Sequence, residues 1–465
     1  MSLVDILEPV LSGGIRNTNF FNGRLLAAED LTDFQTANAL QHRQLARALG
    51  EGVAGGLEVS IAGNPSAGQT VLHITQGLAF NRNGQAVALP ADVDLALAPA
   101  AAAPAADAGL FAECQPPRAA ILINPGLYVL TIMPHSGLST ESVPKTDIFT
   151  EGVAASCGSR WLVEGARFRT EPLDFGINPA PASLAGQAAQ LGEALKPLLG
   201  KLPTATGPAA DSLKAQMAPL MSRLRNCAAH LCFGTEKLAG LPADPFGRSQ
   251  GASLFAEYGA IDQLRDKAKL ADCEVPLAIL YWTPIGVQFV DMWSVRRPVF
   301  PEPVSSAWAP FAGNRRMVEG LAMFLQFQCQ VSGLMKNLSS SVLSSVKATD
   351  YFRYLPAAGL LPLGNVTQAA GFSYLQLFND RTYRNPVFIE GAKLQYLFLR
   401  SATYPAIDLK KQEMLWLYRV RENQQPVDVN ARDSRQVFMV FANGQMPFQG
   451  EARYDLNYWE YANYV

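Results

Sequence analysis

Near the N-terminus, Leu31, Phe34, Asn38, His42, Leu45 and Leu49 recur at spacings of three and four behind Glu29 and Asp30. Acidic residues favour a helix N-terminus and this spacing marks one helical face, so the pattern predicts a long helix that stops at Gly50. The stripe is apolar at both ends and polar in the middle, which suits a helix packed on two neighbours better than one buried in a single core. Ahead of it, Asn22-Gly23 reads as a turn, with Phe20-Phe21 as its anchor in a core. After it, Gly52, Gly55 and Gly56 lead into Leu57-Glu58-Val59-Ser60-Ile61, whose period of two predicts a strand.

Short alternating runs continue through Val71–Thr75, Gly77–Phe80, Ala86–Leu89, Asp94–Leu97, Ala119–Asn124, Gly126–Ile132 and Trp161–Phe168. Asn83-Gly84 marks a hairpin turn among them. With the leading helix they predict a β-sandwich domain over residues 1–180, in which the Ala/Pro tract 99–117 is a low-complexity loop. Past Pro179–Pro181 the period becomes helical. Ser183–Gly200 reads as a helix interrupted at Pro197, and Asp211–Cys232 as one kinked at Pro219 and capped by Asp211 or Ser212. A short helix around 260–270, a strand pair over 277–290 and a helix over 310–336 complete a middle segment, 181–349. Within 350–465, Leu394–Leu399, Met414–Val420 and Val437–Phe441 read as strands of a mixed domain. The fold class is therefore α+β: a long helix and an N-terminal β-sandwich, a helical middle segment with an interposed strand pair, and a C-terminal mixed α/β domain. No repeat of fixed period is present.

Composition sharpens this picture. Charged residues make up 17% of the 465 and apolar residues 49%, against about 25% charged in an ordinary soluble domain. A chain so short of charge implies extra buried area, and subunit interfaces supply it because their cores are depleted in Lys, Glu and Asp. A net charge of −2 offers no basic excess for phosphate backbones, which argues against a nucleic-acid partner. Met1–Gly14 carries acids and no basic leader, and no apolar run reaches the ~20 residues of a membrane helix, so synthesis and assembly in the cytoplasm without direct membrane insertion is expected. The six cysteines, mostly far apart, read as reduced thiols.

The runs FFNGRLLAAEDLTDFQ, GVAGGLEV and ITQGLAFNRNGQAVALP resemble the start of a structural protein family of phage-tail-like, extracellular contractile injection systems. VPLAILYWTPIGVQFVDMWSVRRP (275–298) and YFRYLPAAGLLPLG (351–364) are similar to further blocks of that family. A more distant likeness joins the first helix and strand pair to the shell domain of the type VI secretion baseplate protein and to the shoulder of siphophage receptor-binding proteins. None of these blocks is a catalytic signature. The resemblance implies a structural role among other subunits of such a particle, and release with it.

Candidate chemistry is sparse. Cys227, His230, Cys232 and Cys273 are zinc-competent, but Cys232 lies about 140° around the helix from Cys227 at ~100° per residue, which no closed knuckle would choose. Cys157 and His135 form a conceivable nucleophile and base without a papain-like signature. No GxSxG, HExxH, Walker A loop or dinucleotide fingerprint occurs. Asp291 and Trp293 precede the adjacent Arg296 and Arg297, which are placed to clamp a carboxylate within the fold or on a neighbour. The C-terminal run holding Tyr458, Trp459, Tyr461 and Tyr464 brings large contact area at low entropic cost. With Phe20, Phe21 and Arg24 at the N-terminal turn, these are the interface candidates, and no residue is assigned to catalysis, metal or cofactor. The reading is a non-enzymatic oligomeric component of a contractile injection particle, at the baseplate periphery, a spike cage or a fibre adaptor. Its partners are copies of itself, a trimer being one such arrangement, and other particle subunits. The alternatives are a receptor- or carbohydrate-binding module on the particle, and a cysteine- or zinc-dependent enzyme.

Overall fold

A computed structural model describes residues 11, 14–62, 70–97, 124–138, 142–146, 154–173, 179–238, 259–301, 314–362, 372–379, 381–382, 386–420 and 438–450. The expected strand at 119–123, the Ala/Pro tract and the aromatic C-terminal run lie outside them.

Helix α1 (Ala28–Leu49) begins where the Asp30 carboxylate accepts the Ala27 amide at 3.1 Å and ends at Gly50, whose φ of 98° suits only glycine. The next turn is tighter than the glycine pattern suggests. Gly52–Gly56 is itself a strand, β1, which pairs with β4 (Gly77–Phe80), while β4 forms the expected hairpin with β5 (Ala86–Leu89) around Gly84. A second small sheet holds β2 (Val59–Ile61), β3 (Val71–Ile74) and β6 (Val93–Ala96).

The third sheet joins parts of the chain that are distant in sequence. Its order is β10 (Leu162–Pro172), β7 (Gly126–Leu138), β11 (Val275–Thr283) and β12 (Gly286–Asp291), all antiparallel. Thus the strand pair of the middle segment completes the N-terminal sheet. Between β7 and β10, β8 (Ser142–Thr146) and β9 (Ala154–Ser159) pair with each other. Period-two alternation gives the sheet two apolar faces. Leu130, Ile132, Val275 and Leu280 pack with Leu57, Leu72, Ile74 and Val87 of the small sheets. Leu127, Val129, Ile279 and Tyr281 pack instead against a helical layer.

That layer is α2 (Leu184–Lys201), capped where Ser183 Oγ accepts the Gly186 amide, and α3 (Pro208–Phe233), closed by the left-handed Gly234. Both helices differ from expectation. Pro197 does not interrupt α2, because it falls in the last turns, where it removes one backbone donor and leaves the packing face of Leu195 and Leu199 intact. Helix α3 starts at Pro208, ahead of the expected caps Asp211 and Ser212, because proline already has helical φ at a first position where its missing N–H has no partner to lose. After the short α4 (Thr235–Leu238), α5 (Ala260–Asp266) leads back to the sheet.

Helix α6 (Arg315–Asn337) opens the last part of the chain, followed by α7 (Ser340–Ser345) and α8 (Ala348–Tyr351). Strands β13 (Tyr354–Leu355) and β16 (Ile407–Asp408) pair, and a four-stranded sheet runs β14 (Ala358–Pro362), β18 (Phe438–Asn443), β17 (Leu415–Val420) and β15 (Val387–Ile389), with β15 and β17 parallel. Phe327 of α6 and Phe378 of α9 (Tyr374–Phe378) meet Phe441 on one face, both ring pairs at 5.3 Å and edge-on. The other face carries Trp416, Tyr418 and Val440 against Leu397 of α10 (Leu394–Ser401). The expected strand at Leu394–Leu399 is therefore this helix. Its Leu397 and Ser401, four apart, are buried while Tyr396 and Leu399 are exposed, so burial on one helical face overrides the aromatic strand propensity.

Candidate functional site

The segment Asp291–Arg297 sits where the large sheet meets the helices, and its charges are engaged inside the chain. Asp291 is buried, and its Oδ2 accepts from Arg225 Nε at 2.6 Å and Gln326 Nε2 at 2.9 Å, while Oδ1 accepts the Ser294 amide at 3.1 Å. Arg297 pairs with Glu319 of α6, its Nη2 at 2.5 Å and its Nε at 3.0 Å from Oε2, and lies 5.1 Å above the Phe233 ring. Its Nη1 donates to the carbonyls of Trp293 and Arg296. Arg296 lies 5.9 Å from the centroid of the half-buried Trp293 ring and donates to the carbonyls of Leu57 at 2.7 Å and Gly56 at 2.5 Å. Asp291 and Arg297 do not pair with each other. Among the described residues, the contacts of Asp291, Arg296 and Arg297 form a junction within the chain, one of the two placements the sequence left open.

Sequence reasoning missed the other half of that junction. Arg225, Glu319, Gln326 and Gln330 belong to it, with Gln326 Nε2 donating to Gln330 Oε1 and Gln330 Nε2 to Ser222 O at 2.7 Å. A signal existed: Glu319, Gln326 and Gln330 fall at spacings of seven and four on the same face of α6 as Ala322 and Met323.

Beside this junction lies a charged cavity of about 60 Å³. Glu51, just after α1, bridges two arginines, Arg82 Nε at 2.9 Å and Arg265 Nη2 at 3.1 Å. Asp262 of α5 bridges Arg315 and, at 3.8 Å, Arg82. Burial, together with the neighbouring Arg82 charge, outweighs Glu51 and the nearby aspartates and holds Arg265 below its ordinary pKa.

The N-terminal turn is placed differently from its expectation. Phe20 and Phe21 do not anchor a core; they are 50% and 62% exposed, Phe20 meeting the edge of Phe34 at 6.0 Å and Phe21 lying under Arg24 at 5.9 Å. Arg24 also pairs with Asp30. In α1 only Ala37 and Ala46 are buried, and Leu25, Leu31, Leu45 and Leu49 stand in solvent, Leu25 at 92%. The apolar stripe read from the sequence is real, but no second neighbour within the described chain covers it.

Cys227, Cys232 and His230 are packed in the core between α3 and its neighbours. Burial raises Cys227 to about 11 and Cys232 higher still, the opposite of an activated thiolate. His230 is buried, with Nδ1 2.7 Å from Thr235 Oγ1 and its ring against Tyr354 and Phe233, and burial, then the Arg353 charge, lower it to about 3. Cys273 is disulfide-bonded, which corrects the reading of six reduced thiols and removes it from any zinc set. The distance between cysteines along the chain says nothing of their distance in the fold. His135 is engaged by Arg167 at 2.8 Å, and the side chain of Cys157 lies outside the described residues, as do Tyr458, Trp459, Tyr461 and Tyr464. Among the described residues no group of three or more His, Cys, Asp or Glu side chains is arranged to hold a metal ion.

No protein-family model and no curated protein matches the sequence. Among solved structures, the chain is similar to a chain of the type VI secretion system TssK-TssF-TssG baseplate subcomplex, with 13% identity over 55% of this chain and 100% of that one and a TM-score of 0.19. It is also similar to the crystal structure of TssK, with 12% identity over 55% of this chain and 70% of that one and a TM-score of 0.17.

The arrangement is a network of ion pairs and hydrogen bonds that links separate elements. Its carboxylates and guanidinium groups pin β1, α3, α5 and α6 to one another, while the exposed apolar side chains gather on α1 and at the end of the β7–β10 ribbon, where Leu138, Trp161, Leu162 and Val163 are exposed. No helix among the described residues is long and apolar enough to cross a membrane.

Proposed function

We propose that this chain is a non-enzymatic, self-associating structural subunit of a phage-tail-like contractile injection particle, made and assembled inside the cell. It would sit at the baseplate periphery, in a cage around the spike or as a fibre adaptor, among copies of itself and other particle subunits. The observation that supports the reading best is the exposed apolar limb of Phe20, Phe21, Leu25, Leu31, Leu45 and Leu49, which a solvated monomer would keep covered. The sequence blocks that resemble the injection-particle family, and the low charge content, point the same way.

The test is the mass of the purified full chain by light scattering, followed by its recovery with sheathed particles from cells that make them. An oligomeric mass and co-purification with the tube are expected. A monodisperse monomer that never accompanies a sheathed tube overturns the proposal.

A further inference from the structure

The outer stripe of α1 reads nearly the same in both directions. It consists of Leu31, Phe34, Asn38, His42, Leu45 and Leu49, apolar at both ends and polar in the middle. Laid antiparallel on a copy of itself, with the crossing near residue 40, Leu31 of one helix meets Leu49 of the other, Phe34 meets Leu45, and Asn38 meets His42. Each polar side chain then faces an unlike one with which it can share a hydrogen bond, whereas a parallel pair sets imidazole against imidazole. Beside the stripe, Gln35, Gln41 and Ala48 are exposed and uncharged, so two such helices can close on each other without desolvating a charge. Charge is instead graded along the axis, with Glu29 in the first turn, Asp33 in the second and Arg47 in the last. Antiparallel packing sets the acidic end beside the basic one and opposes the two helix dipoles, while parallel packing sets like against like. Of the residues of α1, only Ala37 and Ala46 are buried in their own chain. The stripe and the turn ahead of it expose eight large apolar side chains by 39–92%. At ~150–250 Å² for each phenylalanine, these leave an area on the order of the ~800 Å² that each partner of a standard interface buries.

We infer that α1 is a dimerisation helix, which packs antiparallel on α1 of a second copy of this chain across a two-fold axis near residue 40. The inference rests on the self-association in the proposed function and adds its partner and geometry. A two-fold contact uses the same patch on both copies and closes at two, and a stripe symmetric about its own middle supplies such a patch. The helix of 22 residues spans about 33 Å. The turns holding Phe20 and Phe21 therefore lie at opposite ends of the pair, each beside the C-terminal end of the other copy's α1.

Disulfide trapping in the full chain tests it, read as covalent dimer on non-reducing gels after mild oxidation with diamide and compared with the unaltered chain. Leu31→Cys combined with Leu49→Cys is expected to give a covalent dimer, as is Phe34→Cys combined with Leu45→Cys, while each single variant stays at the background of the unaltered chain. Residues 31 and 49 stand ~27 Å apart along one helix, far beyond the ~7 Å that a bridge within one chain tolerates. All four positions are 39–67% exposed, so the substitutions leave the fold intact. Light scattering on the same samples separates the two levels of the argument. An oligomer in which neither double variant is trapped, or in which Leu31→Cys alone bridges to its own copy, overturns the antiparallel pair and leaves the particle reading standing. A monodisperse monomer overturns both.

Discussion

The Arg296 guanidinium donates to the carbonyl oxygen of Leu57 at 2.7 Å, across 239 positions of sequence. Leu57 is fully buried and has a φ of 57°, a left-handed conformation that costs a residue with a Cβ about 1–2 kcal/mol. The preceding Gly56, at φ 61°, presents its carbonyl to the same arginine. An adjacent pair of left-handed residues turns β1 into β2, and the arginine satisfies both carbonyls that the turn points inward. Arg296→Lys keeps the charge and loses the fork, so it is expected to destabilise the chain by about 1–3 kcal/mol, read from the midpoint of urea unfolding. An unchanged midpoint would show that water replaces the arginine.

Asp291 is held by two side chains and one amide, and Arg225 is its ion-pair partner. Replacing it with Asn leaves the Arg225 charge buried without a counter-charge, a loss of about 3–5 kcal/mol. Asp291→Asn combined with Arg225→Met should recover much of that loss, since both partners are then neutral. If the double variant is as unstable as the single one, the ion pair is not the source of the effect.

His230 gives the fold an acid limb. Its folded pKa of about 3 lies below the ordinary 6.5, so below pH 6.5 the unfolded chain takes up a proton that the folded chain refuses. The stability it contributes is present above pH 6.5 and declines as pH falls toward 3, by an order of 5 kcal/mol at most at ~1.4 kcal/mol per unit. His230→Gln should flatten the stability profile across that window. A profile that keeps its slope in the variant would assign the acid limb to other groups.

Leu31 and Leu45 occupy the uncovered stripe of α1. Leu31→Glu with Leu45→Glu should leave thermal unfolding of the isolated chain within about 0.5 kcal/mol per site, as exposed substitutions do. On the proposed function the same pair should lower the mass measured by light scattering toward that of one chain. Retained oligomers would place the contact elsewhere.

Much of the fold was legible because its signals are local. The α1 stripe, the Asn83-Gly84 hairpin, the α2 and α3 faces and strands β11, β12, β17 and β18 all depend on period and turn chemistry within a few residues. The α10 segment was misread because Leu394–Ser401 carries aromatic and aliphatic residues that serve a strand or a helix equally, and only the sheet face it covers selects the helix. The candidate site was half legible. Asp291, Arg296 and Arg297 announce themselves as charges after an apolar strand, but Arg225 and Glu319 look like ordinary helix charges until the helices pack.

By itself, the sequence determined the α+β class, the order of most elements, the scarcity of charge and the apolar stripe on α1, since each depends on residue type and near-neighbour spacing. Only the tertiary structure decided that β11 and β12 close a sheet begun more than a hundred residues earlier, which arginine answers which carboxylate, and that the α1 stripe faces outward. Those are contacts between distant segments. Their partners are chosen by packing geometry and the need to neutralise buried charge, and neither is written in any short stretch of chain.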